Sequence, residues 1–255
     1  MDAEGPRRRV ELPELLLGLL ALAVAAVITG VVVAHAIRDV KRQRDTIVVT
    51  GSAKYPITAN LATWRLSVRA QARTSEAAVR KLRRDVAGVD AFLGGGDLGS
   101  GSVRKPPIQI EQITVSVPTG LAKPRFRQVP AWLLTQRFEI QTERIDKLEQ
   151  IASTVDELLL QGADVSSSNV RYLSTRLTEA RFAALRKATS DARRRAETIA
   201  KGLDGHLGAV TSVDLGVFQI TPRNSTDVSD YGINDTTSRQ KDVTAVVRVT
   251  FRVER

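Results

Sequence analysis

The chain is 255 residues long, 42% apolar and 26% charged, with a formal net charge of +10, which suffices for one large or two small cored domains and excludes a disordered tail. No cysteine occurs and the only histidines are His35 and His206. Disulfides, Cys-ligated zinc, thiol nucleophiles, His-based triads and metal sites needing two imidazoles from one soluble domain are thereby excluded. Most of the basic excess lies beyond residue 45. It favours polyanions such as nucleic acid, anionic lipid or envelope polymer without choosing among them.

Between Glu14 and Arg38 runs LLLGLLALAVAAVITGVVVAHAI, 23 residues without a charged side chain. As a helix it would extend about 34 Å, slightly more than the hydrocarbon core of a bilayer. The length predicts an uncleaved transmembrane anchor over 15–37, a cytoplasmic tail over 1–14 and a linker over 38–45. The competing reading is a signal peptide cut after Ala36, since Ala34-His35-Ala36 has the small-x-small pattern, with secretion of the remainder. A signal peptide's apolar region is shorter, and its leading segment lacks acids such as Asp2, Glu4, Glu11 and Glu14. Arg7, Arg8 and Arg9 on one side nearly balance Arg38, Lys41, Arg42 and Arg44 on the other, so flanking charge leaves the orientation open. His35, an ionisable group in a span, is a functional suspect weakened by its terminal position.

The rest, 46–255, reads as an α+β domain. Thr46–Ala53 forms a first strand ended by Gly51. Ala62, Trp64, Leu66, Val68 and Ala70 alternate as in a half-buried strand. Thr74 or Ser75 caps a helix carrying Ala78, Val79, Leu82, Val86, Val89 and Leu93 on one face. Gly94–Ser102 is a flexible break. Strands Pro107–Val117 and Trp132–Thr142 follow, joined by a loop from Pro118 to Pro130 rich in proline and basic residues. Asp146 opens a helix closed at Gly162 by a left-handed cap, and a strand lies around Val165–Thr175. The order β-α-β-β-α-β over approximately 61–175 predicts a ferredoxin-like split unit.

A long helix begins near Thr178 and ends at GLDGHLG, with an apolar stripe of Phe182, Leu185, Ala188, Ala192, Ala196, Ile199 and Leu203. Strands Ala209–Ile220 and Val243–Val253 flank a polar loop from Thr221 to Lys241. Together with 46–53, the segment 178–255 predicts a second layer that unites the chain ends.

The region from about Thr46 to Arg255 resembles the SIMPL-domain family. The resemblance is carried by IVVTGSA, LATWRLSV, EARFAALRKATSDARRRAETIAKGL with LGAV after it, and DVTAVVRVTF, in that order and spacing. It implies an exported, envelope-associated α+β protein without established catalytic residues, with self-association and a link to stress tolerance. Family members commonly carry Pro-Asp just before the second strand, where this chain has Ala59-Asn60.

Chemistry-bearing patterns are sparse. Glu139, Glu143 and Asp146 match no metal-loop spacing and read as a strand edge followed by a helix cap. His206 reads as a turn residue or C-terminal cap. Gly94, Gly95 and Gly96 belong to no phosphate-binding motif. No catalytic, cofactor or metal residue is therefore assigned, and no cofactor is expected. The candidate interaction surface is the helix face of Arg186, Lys187, Arg193, Arg194 and Lys201, together with Tyr231 and Ile233 in the polar loop, which reads either as a dock for a neighbouring subunit or as a mobile loop. Aromatic residues make up 4% of the chain and none lies between Ser190 and Leu203. The arginines accordingly read as a solvated face, with anionic lipid or envelope polymer as the next partner and nucleic acid not expected. The expectation is a non-enzymatic, membrane-anchored scaffold or homo-oligomer in the cell envelope.

Overall fold

The computed structural model describes residues 12–42, 46–119 and 125–254. In chain order its elements are α1 (Leu12–Arg42), β1 (Thr46–Thr58), β2 (Leu61–Ala72), α2 (Ser75–Gly94), β3 (Val103–Arg104), β4 (Gln109–Thr119), β5 (Arg125–Thr142), α3 (Ile145–Ser153), α4 (Glu157–Leu160), β6 (Asp164–Ser167), β7 (Arg171–Leu173), α5 (Leu177–Gly202), β8 (His206–Leu215), β9 (Gln219–Pro222) and β10 (Gln240–Glu254). The protein is α+β. It divides into one unit of 52–190 with 215–247, and another of residues up to 51, 191–214 and 248 onward.

In the larger unit, alternating Trp64, Leu66, Val68 and Ala70 turn one face of β2 into the core. Beside β2 lies β5, antiparallel from Ala62↔Thr142 to Ala72↔Trp132. Next to β5 lie β3 and β4, and along the other side of β2 run β6 and β7, every pairing being antiparallel. Phe138 and Ile140 of β5, Ala78, Leu82, Val89 and Leu93 of α2, and Leu148 of α3 complete the core. Burial of each such large side chain is worth about 1.5–3 kcal/mol. The one polar atom of Trp64 is satisfied, its Nε1–H donating to Ser168 O at 3.0 Å.

Several elements depart from the sequence reading. The expected loop over 118–130 is mostly a two-stranded ribbon: β4 and β5 stay paired from Ile113↔Ala131 to Thr119↔Arg125, beyond the last partner of β2. Val115, Val117, Val129 and Ala131 share one face of it, and this alternation outweighs the two prolines. Pro130 lies past the end of the β2 pairing, where a missing N–H breaks no second ladder. The second core helix is broken into α3 and α4, although Gly162 does adopt the left-handed conformation with φ +81°. The strand expected around 165–175 is split into β6 and β7, and that over 209–220 into β8 and β9.

The apolar stripe expected on α5 holds in its middle, where Ala188, Ala192 and Ala196 are buried, and is corrected at its ends. The buried line is Ala180, Ala184, Ala188, Ala192, Ala196 and Ala200, whereas Phe182, Ile199 and Leu203 are 59%, 44% and 63% exposed. A spacing of four advances about 400° around a helix, so the buried line drifts by about 40° per step. Methyl side chains along it permit the closest approach of the helix backbone to whatever it covers.

The four-stranded sheet has the order β1-β10-β8, with β9 also on β10. In β10, Val243, Ala245, Val247, Val249 and Phe251 are buried at alternate positions, as the sequence pattern requires. His206 is corrected from helix cap to first residue of β8. The reversal is made by Asp204 at φ 55° and by Gly205, whose N–H donates to Ala200 O at 2.9 Å.

Within α1 the described side chains are those of 17–20 and 22–33, and they are exposed. Among the described residues no helix is long and apolar enough to cross a membrane. Residues 1–11 of the expected tail, 43–45 of the expected linker and the side chain of His35 lie outside what is described.

Candidate functional site

The five basic residues of the expected surface all lie exposed on α5. Spacings of seven put Arg186 with Arg193, and Lys187 with Arg194 and Lys201, on two adjacent lines, about 22 Å from end to end. They do not form a cluster of unopposed charge. Arg193 Nε donates to Glu197 at 2.9 Å, Arg194 lies 3.6 Å from Asp191, and Arg195 Nε donates to Asp191 at 2.8 Å. Lys187 Nζ stands 5.1 Å from the centre of the Tyr55 ring, a cation–π contact.

Tyr231 is 98% exposed, and its N–H donates to Ser229 Oγ at 3.3 Å. Ile233 is half-buried, its carbonyl accepting from Ile220 N–H at 2.8 Å. The loop is tied to β9 at Ile233 and again at Asp235, whose N–H donates to Ile220 O at 2.8 Å, whereas the Tyr231 bond is local to the loop.

Glu139 pairs with Arg104 at 2.8 Å and Asp146 with Arg239 at 2.5 Å. The Arg239 hydrogen bond, then its charge, holds the Asp146 carboxyl below its usual range. These acids are thus taken up by separate arginines, and among the described residues no group of three His, Asp or Glu could hold a metal ion.

A different place concentrates buried charge. Lys241 sits in phase with Val243, Ala245 and Val247 at the start of β10, opposite Pro222 of β9. Its side chain is 3% exposed and that of its partner Asp235 is 6% exposed. Lys241 Nζ donates to the Asp235 main-chain oxygen and, at 3.3 Å, to Asp235 Oδ2. Asp235 Oδ1 also accepts the Thr237 N–H and hydroxyl, each at 2.8 Å, and the Ser238 N–H at 3.3 Å. Burial pushes the Asp235 carboxyl up, but these donors and the Lys241 charge outweigh it and hold the group below the ordinary carboxylate range. Burial also pulls the Lys241 ammonium below the ordinary lysine value, and Asp235 only partly restores it.

This pair lines a half-enclosed cavity of about 280 Å³ walled by Ile57, Leu61, Leu173, Leu177 and Ile220. A larger cavity of about 580 Å³ beside Trp64, Arg104, Glu139 and Arg171 is lined about equally by polar and apolar surface, and its acid is already paired with Arg104. Sequence reasoning assigned Lys241 to a polar loop. The signal that identifies it is phase: a lysine at the inward positions of an otherwise apolar alternation.

The model of the SIMPL family, described as a protein of unknown function (DUF541), matches residues 47–251. This chain belongs to the SIMPL family. The match begins inside β1 and ends inside β10, so it takes in the whole of the Lys241–Asp235 cavity and leaves α1 outside. No curated protein matches the chain. Where the family resemblance sets an acid before β2, this SIMPL chain uses Asn60 as a clasp. Its amide donates to Thr175 Oγ1 at 2.8 Å, and its Oδ1 accepts the Thr175 N–H at 2.9 Å.

Proposed function

We propose that this SIMPL-family protein is a non-enzymatic scaffold of the cell envelope, anchored in the cytoplasmic membrane through 15–37, with its α+β body on the extracytoplasmic side. In this reading it works as a homo-oligomer with a role in stress tolerance. The observation that carries self-association is β8, which ends one side of its sheet and is exposed along nearly its whole length. Val210 and Val213 stand out on its two faces. An apolar, unpaired strand edge is a template for another chain, and a second copy is the commonest partner of a soluble protein.

The anchor is supported by the described part of α1, where Leu17, Leu20, Leu22, Val24, Val27 and Ile28 are exposed around the helix. A helix apolar all round is one made for a core or a bilayer. Thr29, whose hydroxyl donates to Ala25 O at 2.8 Å, carries no unsatisfied polar group into it. For 61–175 we read a ferredoxin-like unit, supported by the antiparallel order β6-β2-β5-β4 and the element order strand, helix, two strands, helix, strand.

The alternative, a basic surface that holds anionic lipid or envelope polymer, is weakened by the carboxylates that already face Arg193 and Arg194. Salt-sensitive binding to anionic vesicles would restore it. The scaffold is tested by chemical cross-linking of the full-length protein in intact membranes, with Val213→Lys as the edge-blocking variant. Ladders that shorten in the variant are expected, and a monomer in both chains overturns the reading. Protease accessibility of a C-terminal tag in spheroplasts tests the orientation.

A further inference from the structure

We propose that the cavity at Lys241 captures a small neutral aldehyde with an apolar tail, binding it covalently through the lysine nitrogen. The site is built for a neutral ligand. Lys241 and Asp235 cancel each other's charge, so an anion entering the cavity would meet the Asp235 carboxylate as well as the ammonium. The five aliphatic walls accept a hydrocarbon tail, and a volume of about 280 Å³ lies at the small end of ligand pockets.

The amine is also held for the reaction. Two of its three donor positions are used by one residue, Asp235, which is itself fixed by Thr237 and Ser238. Among the described residues no other group accepts from Lys241 Nζ. Burial lowers the ammonium's pKa, and each unit lost raises the neutral, nucleophilic fraction about tenfold at a given pH. The remaining ionisable group on the lining, Tyr172, has its hydroxyl committed to Glu149.

The step balances without a co-reactant. The ammonium and the aldehyde give a protonated imine and water: the C=O bond breaks, a C=N bond forms, and two of the three nitrogen-bound hydrogens leave with the carbonyl oxygen. The positive charge stays on the nitrogen, so the ion pair with Asp235 survives the reaction. The uptake is stoichiometric and reversible, consistent with a protein that does not turn over substrate.

The test uses the purified full-length protein, butanal and cyanoborohydride at neutral pH, with peptide mapping to compare the nine lysines. Lys241 is expected to acquire the butyl group faster than exposed Lys147 and Lys201. The preference should vanish in denaturing urea. Competition distinguishes the ligand class: 2-pentanone should slow labelling of Lys241 and butyrate should not. A cavity-filling variant, Leu177→Trp, should abolish the preference. Labelling of native Lys241 at or below the rate of Lys147 overturns the proposal, as does stronger competition by butyrate than by 2-pentanone.

Discussion

The Tyr172 hydroxyl donates to Glu149 Oε1 at 2.7 Å, tying β7 to α3. Burial first, then the Glu149 hydrogen bond and charge, pushes the phenol up to about 12. A raised folded-state value contributes stability that is complete below the unfolded value near 10 and is lost as pH rises through about 12. An absorbance titration of the folded protein should therefore show a late tyrosine phase near pH 12. Tyr172→Phe should remove that late phase, and Glu149→Gln should move it to lower pH. Absence of that late phase from the folded protein would refute the assignment.

Lys241 and Asp235 should behave as a unit in denaturation. Removal of one member of a buried pair leaves the other charge uncompensated, at a cost of about 3–5 kcal/mol. Lys241→Met is expected to lower stability by that order in urea titrations, and Lys241→Met with Asp235→Asn by less than the sum of the single changes. Because the Asp235 carboxyl is depressed in the fold, its stabilisation is present above the ordinary carboxylate value and is lost as pH falls through the lower folded one. Asp235→Asn should flatten the fall of the urea midpoint below about pH 4.

Size along α5 is constrained on one line and free on the others. Ala188 is fully buried, so Ala188→Leu forces extra methylenes into a filled space and should cost about 1–3 kcal/mol. Phe182 is largely exposed, and Phe182→Ala should stay within about 0.5 kcal/mol in the monomeric state. Arg193→Gln should be equally mild, because an exposed i,i+4 pair is worth about 0.3–0.5 kcal/mol. Equal losses for Ala188→Leu and Phe182→Ala would contradict the alanine line. Thermal and urea unfolding of the two variants decide the matter.

These contrasts explain what could be read from the residues alone. The period-two run through Trp64 and the helical run through Ala78, Leu82 and Leu93 declared their elements, because large side chains there coincide with the buried face. Thr74 likewise caps α2, accepting the Ala77 N–H at 3.3 Å. On α5 the same logic found Ala188, Ala192 and Ala196 but misled at the ends: weighting by hydrophobicity favours Phe182 and Leu203, whereas a close backbone approach selects alanine. The ribbon beyond Trp132 was obscured by Pro118 and Pro130, which punctuate a loop in most contexts but are tolerated at a sheet edge. Lys241 was hidden for a chemical reason. A lysine next to Arg239, Gln240 and Asp242 has the composition of a loop, and its phase with Val243 becomes decisive only when a partner such as Asp235, six residues earlier, can be placed against it. The expected surface residues share a helix and a loop in the sequence, but the paired carboxylates that quench Arg193 and Arg194 are visible only as i,i+4 and i,i−3 geometry.

Gly232 offers the sharpest test of the loop that supports both Tyr231 and Asp235. It has φ +81°, and a Cβ built there would lie 2.9 Å from Phe218 O, main-chain atoms that cannot swing aside. For a residue with a Cβ the left-handed conformation alone costs about 1–2 kcal/mol. Gly232→Ala must either accept that strain with the clash or release the turn, in which Gly232 N–H donates to Ser229 O at 3.1 Å. Release would loosen the Gln219 Nε2 bond to Ser229 O, now 2.7 Å, and with it the segment that carries Asp235 to Lys241. Gly232→Ala should therefore destabilise the protein by more than about 1 kcal/mol in urea and increase hydrogen exchange over 229–238. An unchanged midpoint with unchanged exchange would mean that the loop does not depend on this turn, and that Asp235 is held by its own hydrogen bonds alone.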